Sequence, residues 1–140
     1  MKREPLLDGS GRVLTQGIHD ATVREFRFVA EERFEICLRD ENGRDKWFEF
    51  VDVPLIGFRD VVNGQIISDL FCWKLDESAS AQGEAGFAWS VLLGENCRPE
   101  ELPARVSRLA REYSGCYLVF FLTSFGGSIA AICRELLVED

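Results

Sequence analysis

His19 and Asp20, adjacent in the stretch GIHDATVREFRF, come nearest to a reactive pair, and His19 is the chain's one histidine. Histidine titrates near neutral pH, so a carboxylate that fixes its tautomer can turn it into a general base. Adjacent side chains on an extended strand point to opposite faces, so these two could cooperate only in a turn. Aspartate is also common where a loop enters regular structure, because its carboxylate bonds nearby backbone amides. The pair reads as the corner that launches a strand, with His19 kept as a contact residue. Catalysis with His19 as general base is the lesser alternative.

The remaining reactive types are scattered. Cys37, Cys72, Cys97, Cys116 and Cys133 are odd in number, widely spaced and without a C-x-x-C pair. With a single histidine they support neither a zinc site nor a disulfide framework. Only Cys97, just ahead of a helical stretch, has a setting that lowers a thiol pKa, and the glutamates beside it oppose the thiolate. Cys37 falls on the polar face of its strand and is expected to be partly exposed. Asp52, Asp60, Asp69 and Asp76 lack the D-x-D-x-D spacing of a calcium loop. Gly126-Gly127 reads as a hairpin turn, because a phosphate cradle needs a helix N-terminus straight after it. No metal and no cofactor is called for.

Aromatic residues supply the last candidates. Trp47, Trp73 and Trp89 fall in strand-like runs, and Trp47 shares a face with Glu49, opposite Phe48 and Phe50. A surface tryptophan among acidic groups suits a hot spot for a basic partner, and the alternative is the second core of a sandwich. The candidate partner-binding residues are thus His19, Asp20, Trp47, Glu49 and Trp73.

Composition bounds what such residues can serve. The chain has 140 residues, 46% apolar and 29% charged, which is ordinary globular usage in one domain after a loose arm at 1–16. Twenty-four acidic against 16 basic residues give a net charge of −8. A net anion is repelled by nucleic-acid phosphates and anionic membranes and attracted to basic proteins. The N-terminus lacks the apolar core of a signal peptide and the thiols are unpaired, so a reducing cytoplasm is expected.

The elements that must position these residues follow from periodicity. ATVREFRFVA, FEICLRD and KWFEFVDV alternate with period two, and Asn42-Gly43 marks a tight hairpin, so three antiparallel strands form a meander. Pro54 ends the third, and 54–64 reads as an irregular connection. QIISDLFCWKL at 65–75 reads as a fourth strand, 76–86 as a surface loop and FAWSVLL at 87–93 as a fifth strand. Leu102, Val106, Leu109 and Tyr113 form one apolar stripe, which predicts a helix over about 101–113 with Pro103 in its first turn and Gly115 as its stop. CYLVFFLTS and IAAICRELLVE, 129–139, then close a final hairpin. The expected class is α+β: mainly antiparallel β-sheet, single or as two packed sheets of about seven strands, with one amphipathic helix.

The segments GIHDATVREF, FEICLRDENGR, FEFVDVPLIGF and NGQIISDL, within residues 17–75, resemble a set of small bacterial domains of uncharacterised function. A fainter echo lies in FLTSFGGSIAAICRELLVE. In those domains a His-Asp opens a strand meander, and some are immunity proteins of polymorphic toxin systems. The resemblance implies a small cytosolic, non-enzymatic binding protein and brings no catalytic residues with it.

Function is therefore expected to be that of an acidic, non-catalytic interaction domain, such as an immunity-type inhibitor of a basic partner. The alternative is a small-ligand module with an aromatic pocket. Bare edges at the first or last strand would also allow two copies to pair by sheet extension.

Overall fold

The computed structural model describes residues 1–15, 17–61, 64–76, 79–94, 96–124 and 127–139. These residues form eight strands: β1 (Thr22–Ala30), β2 (Arg33–Arg39), β3 (Asp45–Val51), β4 (Leu55–Arg59), β5 (Ile67–Lys74), β6 (Tyr117–Thr123), β7 (Ser128–Cys133) and β8 (Glu135–Glu139). Two helices, α1 (Gly83–Leu93) and α2 (Leu102–Glu112), lie between β5 and β6. The strands make two four-stranded antiparallel sheets, in the orders β1-β2-β3-β8 and β4-β7-β6-β5.

The meander forms as its alternation dictates. Phe34 lies opposite Phe50 and Ile36 opposite Phe48, so the phenylalanines of β2 and β3 share the inner face. At the turn, Asp40 Oδ1 accepts the backbone N–H groups of Asn42 and Arg44, each at 2.9 Å. Of the Asn-Gly pair, only Gly43 takes a positive φ.

Two apolar layers result. Phe34, Phe48, Phe50 and Ile36 of the first sheet meet Leu70, Val119, Phe121 and Ile129 of the second. On the opposite face of the second sheet, Phe71, Leu118, Phe120 and Ile132 pack against Trp89 of α1 and Val106 and Leu109 of α2. The order is sheet, sheet, helices, so the second sheet is buried on both faces.

Several expectations are corrected here. FAWSVLL is the body of α1, not a strand, and the expected loop at 76–86 gives way to that helix from Gly83. An apolar run carries no helical stripe when most of its sides find cover, and here β4, β6, β7 and α2 provide it. Residues 55–59, expected to be irregular, pair in register with β7 from Leu55↔Ile132 to Arg59↔Ser128. The expected last strand is two strands in different sheets. Arg134 breaks them, its N–H donating to the carbonyls of Val51 and Asp52 and its guanidinium pairing with Asp52. There are thus eight strands and two α-helices among the described residues, against the expectation of about seven strands and one helix. The predicted helix matches α2 closely, and its C-terminal side turns at Gly115 with φ +88. The expected Gly126-Gly127 turn lies partly outside the described residues.

The N-terminal arm is laid across the frame. Arg3 exchanges two backbone hydrogen bonds with Val138 on the edge strand β8, while Val13 donates to Leu70 and Cys72 donates to Gly11 on the edge strand β5. One edge of each sheet is thereby covered. The other edge of each, β1 and β4, ends the sheet on the same side of the molecule, where Phe26 and Phe58 meet.

Candidate interaction site

The five sequence candidates fall in three separate places. At the corner, Ile18 and Ala21 are buried and anchor the chain, while His19 and Asp20 between them are exposed. Asp20 adopts φ +69, and this left-handed turn brings adjacent side chains together as a strand would not. His19 Nε2 lies 3.7 Å from the Asp20 carboxylate, and Nδ1 is 2.9 Å from the Ser68 carbonyl. Both contacts favour the protonated ring and raise its pKa above 6.5, the Ser68 carbonyl first and the Asp20 charge second. The Ser68 hydroxyl is turned away and donates to the Leu122 carbonyl at 3.0 Å, so it is no nucleophile for this histidine.

Because the folded pKa is raised, the corner favours folding while His19 is protonated, and that contribution fades as pH rises through the folded pKa. In an NMR titration the His19 midpoint is expected above 6.5 and should fall in Asp20→Asn. A midpoint at or below 6.5 in the wild-type chain would refute the two contacts.

Trp47 and Glu49 sit on the outer face of the first sheet. Trp47 is half-buried beneath the Arg27 guanidinium, 4.5 Å from its ring, and Arg27 is also drawn to Glu25 and Glu35. Glu49 is buried, with Lys2 Nζ at 2.5 Å and Arg33 Nε at 3.2 Å. Its two oxygens are held by cations of its own chain. Trp73 serves the arm: Nε1 donates to the Ser10 carbonyl at 2.8 Å, and the indole stacks on Phe71 at 5.0 Å. Gly11 lies flat on that indole, since a Cβ there would stand 2.6 Å from Cδ1.

The thiols offer no nucleophile beside His19. Cys37, expected to be partly exposed, is 3% exposed, and burial raises its pKa. Burial pushes Cys72 up to about 12 and Cys133 upward as well. Cys97 precedes the 3₁₀ turn Pro99–Glu101 rather than α2 itself. Among the described residues no cluster of three His, Cys, Asp or Glu side chains is placed for a metal ion, and no helix is long and apolar enough to cross a membrane.

The surface that stands out lies where the bare strands β1 and β4 meet. Phe28 is 66% exposed, Val29 49% and Phe58 45%. The two phenylalanines are the outer end of a continuous series of rings. Phe28 and Phe58 both touch Phe34, at 4.8 and 5.8 Å, and Phe34 leads through Phe50 to Phe121 in the core. The inner rings are locked, so the outer ones are presented on a rigid base.

Its margin is acidic. Glu31 and Glu32 turn the chain from β1 into β2, Asp60 follows β4, and all three are exposed. Their carboxylates hold no ion pair among the described residues. The cations nearby are committed elsewhere: Arg27 and Arg33 to glutamates of the outer face, and Arg59 to the Ser90 carbonyl and the ring of Phe87. The alternation of ATVREFRFVA sets Phe26 and Phe28 on one face, opposite Glu25 and Arg27, but does not reveal this opening. A nine-residue β1 overhangs a five-residue β4, and that mismatch exists only once β4 is known to be a strand.

Compared with known proteins, the chain matches no family model, and no curated protein or solved structure resembles it.

Proposed function

We propose that the protein is a non-catalytic interaction domain that binds a basic protein partner at the opening between β1 and β4, acting as an immunity-type inhibitor that covers the partner's functional surface. One observation carries this reading: two exposed phenylalanines, Phe28 and Phe58, sit on a locked aromatic base, with carboxylates at the margin that hold no ion pair among the described residues. Aromatic anchors inside a polar rim are the arrangement that concentrates binding energy in protein interfaces. The net charge of −8 would steer a basic partner toward the domain and repel acidic competitors.

The small-ligand reading has narrower support. Trp73 and Trp89 line an open groove of about 200 Å³ with Leu75 and Leu118, while the phenylalanines between the sheets touch one another. The enzymatic reading has the least, since the histidine's neighbours are a carbonyl and a carboxylate.

An immobilised array of ten-residue peptides that alternate lysine or arginine with valine, leucine or phenylalanine tests the reading. The protein is expected on these and not on counterparts with glutamate for the basic residue. Capture should fall severalfold as salt rises from about 0.05 to 0.3 M, because exposed charges are screened over that range. Equal capture by the acidic peptides, or capture indifferent to salt, would count against a basic partner.

A further inference from the structure

We infer that the partner contributes a short extended segment, which adds to the first sheet as a fifth strand along the bare edge of β1. This rests on the reading of the opening as the partner site and specifies how that site is filled.

The fold already performs such an addition on the same edge. Residues 64–67 run antiparallel to the start of β1: Thr22 bridges Ile66, Val23 donates to the Gln65 carbonyl at 2.8 Å, and Gly64 donates to the Val23 carbonyl at 2.9 Å. At Gly64, with φ +91, the backbone turns. Among the described residues, β1 past Val23 has one sheet neighbour, β2. The N–H and C=O of Val23 point away from β2. Backbone direction alternates along an antiparallel strand, and the extra residue at Arg24 shifts the alternation by one. The outward groups of the next stretch are therefore those of Phe26 and Phe28.

Two irregularities limit the length. The register slips between Val23 and Glu25 and again between Phe28 and Ala30, leaving Glu25–Phe28 as the regular run. Bulges of this kind deter two long, flat edges from pairing. A flexible segment needs only these four residues, and strand addition draws affinity from the backbone and specificity from alternate side chains. On the inner side, its apolar residues would meet Phe28 and Phe58. Continuing the antiparallel direction, its first residues would lie beside Glu31 and Glu32, which call for lysine or arginine. A second copy of the chain fits less well, because it brings the same carboxylates and a further −8.

Hydrogen exchange with defined probes decides the matter. The probe is a ten-residue peptide alternating lysine and valine, made with a free backbone and in two forms N-methylated on one or the other set of alternate residues. At saturation the free form is expected to slow amide exchange of Phe26 and Phe28 at least tenfold. One methylated form should bind at least tenfold more weakly, and the other, whose methyl groups face solvent, should bind as the parent does. Equal binding of all three forms, with Phe26 and Phe28 exchange unchanged, would overturn strand addition while leaving the opening as the binding site. Failure of every form to bind would overturn both. A sedimenting dimer that protects the same two amides without peptide would make a second copy the occupant and overturn the inference.

Discussion

Phe121→Ala is expected to lower the free energy of unfolding by about 3–5 kcal/mol, the usual cost of emptying a buried phenylalanine site. Phe121 is fully buried on β6, in the central part of the second sheet, and its ring meets Phe48 at 5.8 Å and Phe50 at 5.7 Å on the first. It is one of the joints at which the two sheets touch, beside Phe58 against Phe26 and Phe34. Neither neighbour can follow the lost ring, because each is fixed on β3 between two paired strands. Phe28→Ala provides the contrast: its ring is two-thirds exposed, so a change within about 1 kcal/mol is expected. Urea denaturation of the two variants measures both. Similar losses would mean that the aromatic series does not join the sheets as described.

Gly57→Val is expected to cost at least about 1–3 kcal/mol, with Gly57→Ala already destabilising. Gly57 lies at the centre of β4 with its open side against α1. A Cβ there would stand 2.5 Å from the Val91 carbonyl oxygen and 3.0 Å from Leu92 Cα. Both atoms are helix backbone, so no side chain can swing away and the helix itself must move. Thermal unfolding reads this directly. An alanine variant as stable as the wild type would show that α1 does not cross β4 at this glycine.

The same glycine shows why part of the fold could not be read from sequence. Alternation identifies a strand half-buried against one core, as in β1, β2 and β3, and the stripe at Leu102, Val106, Leu109 and Tyr113 identifies a helix with one wet face. The second sheet and α1 have no such asymmetry. β7 is buried at every position from Ser128 to Cys133, and α1 buries Ala88, Trp89 and Val91 while its other apolar residues lean on neighbours. A run apolar on all sides has no period, and FAWSVLL was therefore open to either reading. β4 is short, follows Pro54 and holds a glycine, all marks of a loop. What makes it a strand is β7 beside it and α1 above it.

The opening between β1 and β4 was not legible in the sequence, and the five sequence candidates lie elsewhere. His19 and Asp20 were placed at the corner that starts β1, and the condition for their cooperation, a turn, is met by the positive φ of Asp20. Trp47 and Glu49 share a face as alternation requires. That Arg27 covers one and that Lys2 and Arg33 enclose the other depends on β1, β2 and the arm, which no local pattern joins to β3.

Calorimetric titration of the lysine–valine peptide into the wild-type chain and Phe28→Asp tests the proposed site most directly. Phe28 is exposed, so the variant should keep its unfolding temperature while a carboxylate replaces the anchor. The expected result is binding weakened at least tenfold, about 1.4 kcal/mol, with His19→Ala unchanged as the control. Undiminished affinity in Phe28→Asp, with the loss falling on His19→Ala instead, would contradict the opening between β1 and β4 as the place where a partner binds.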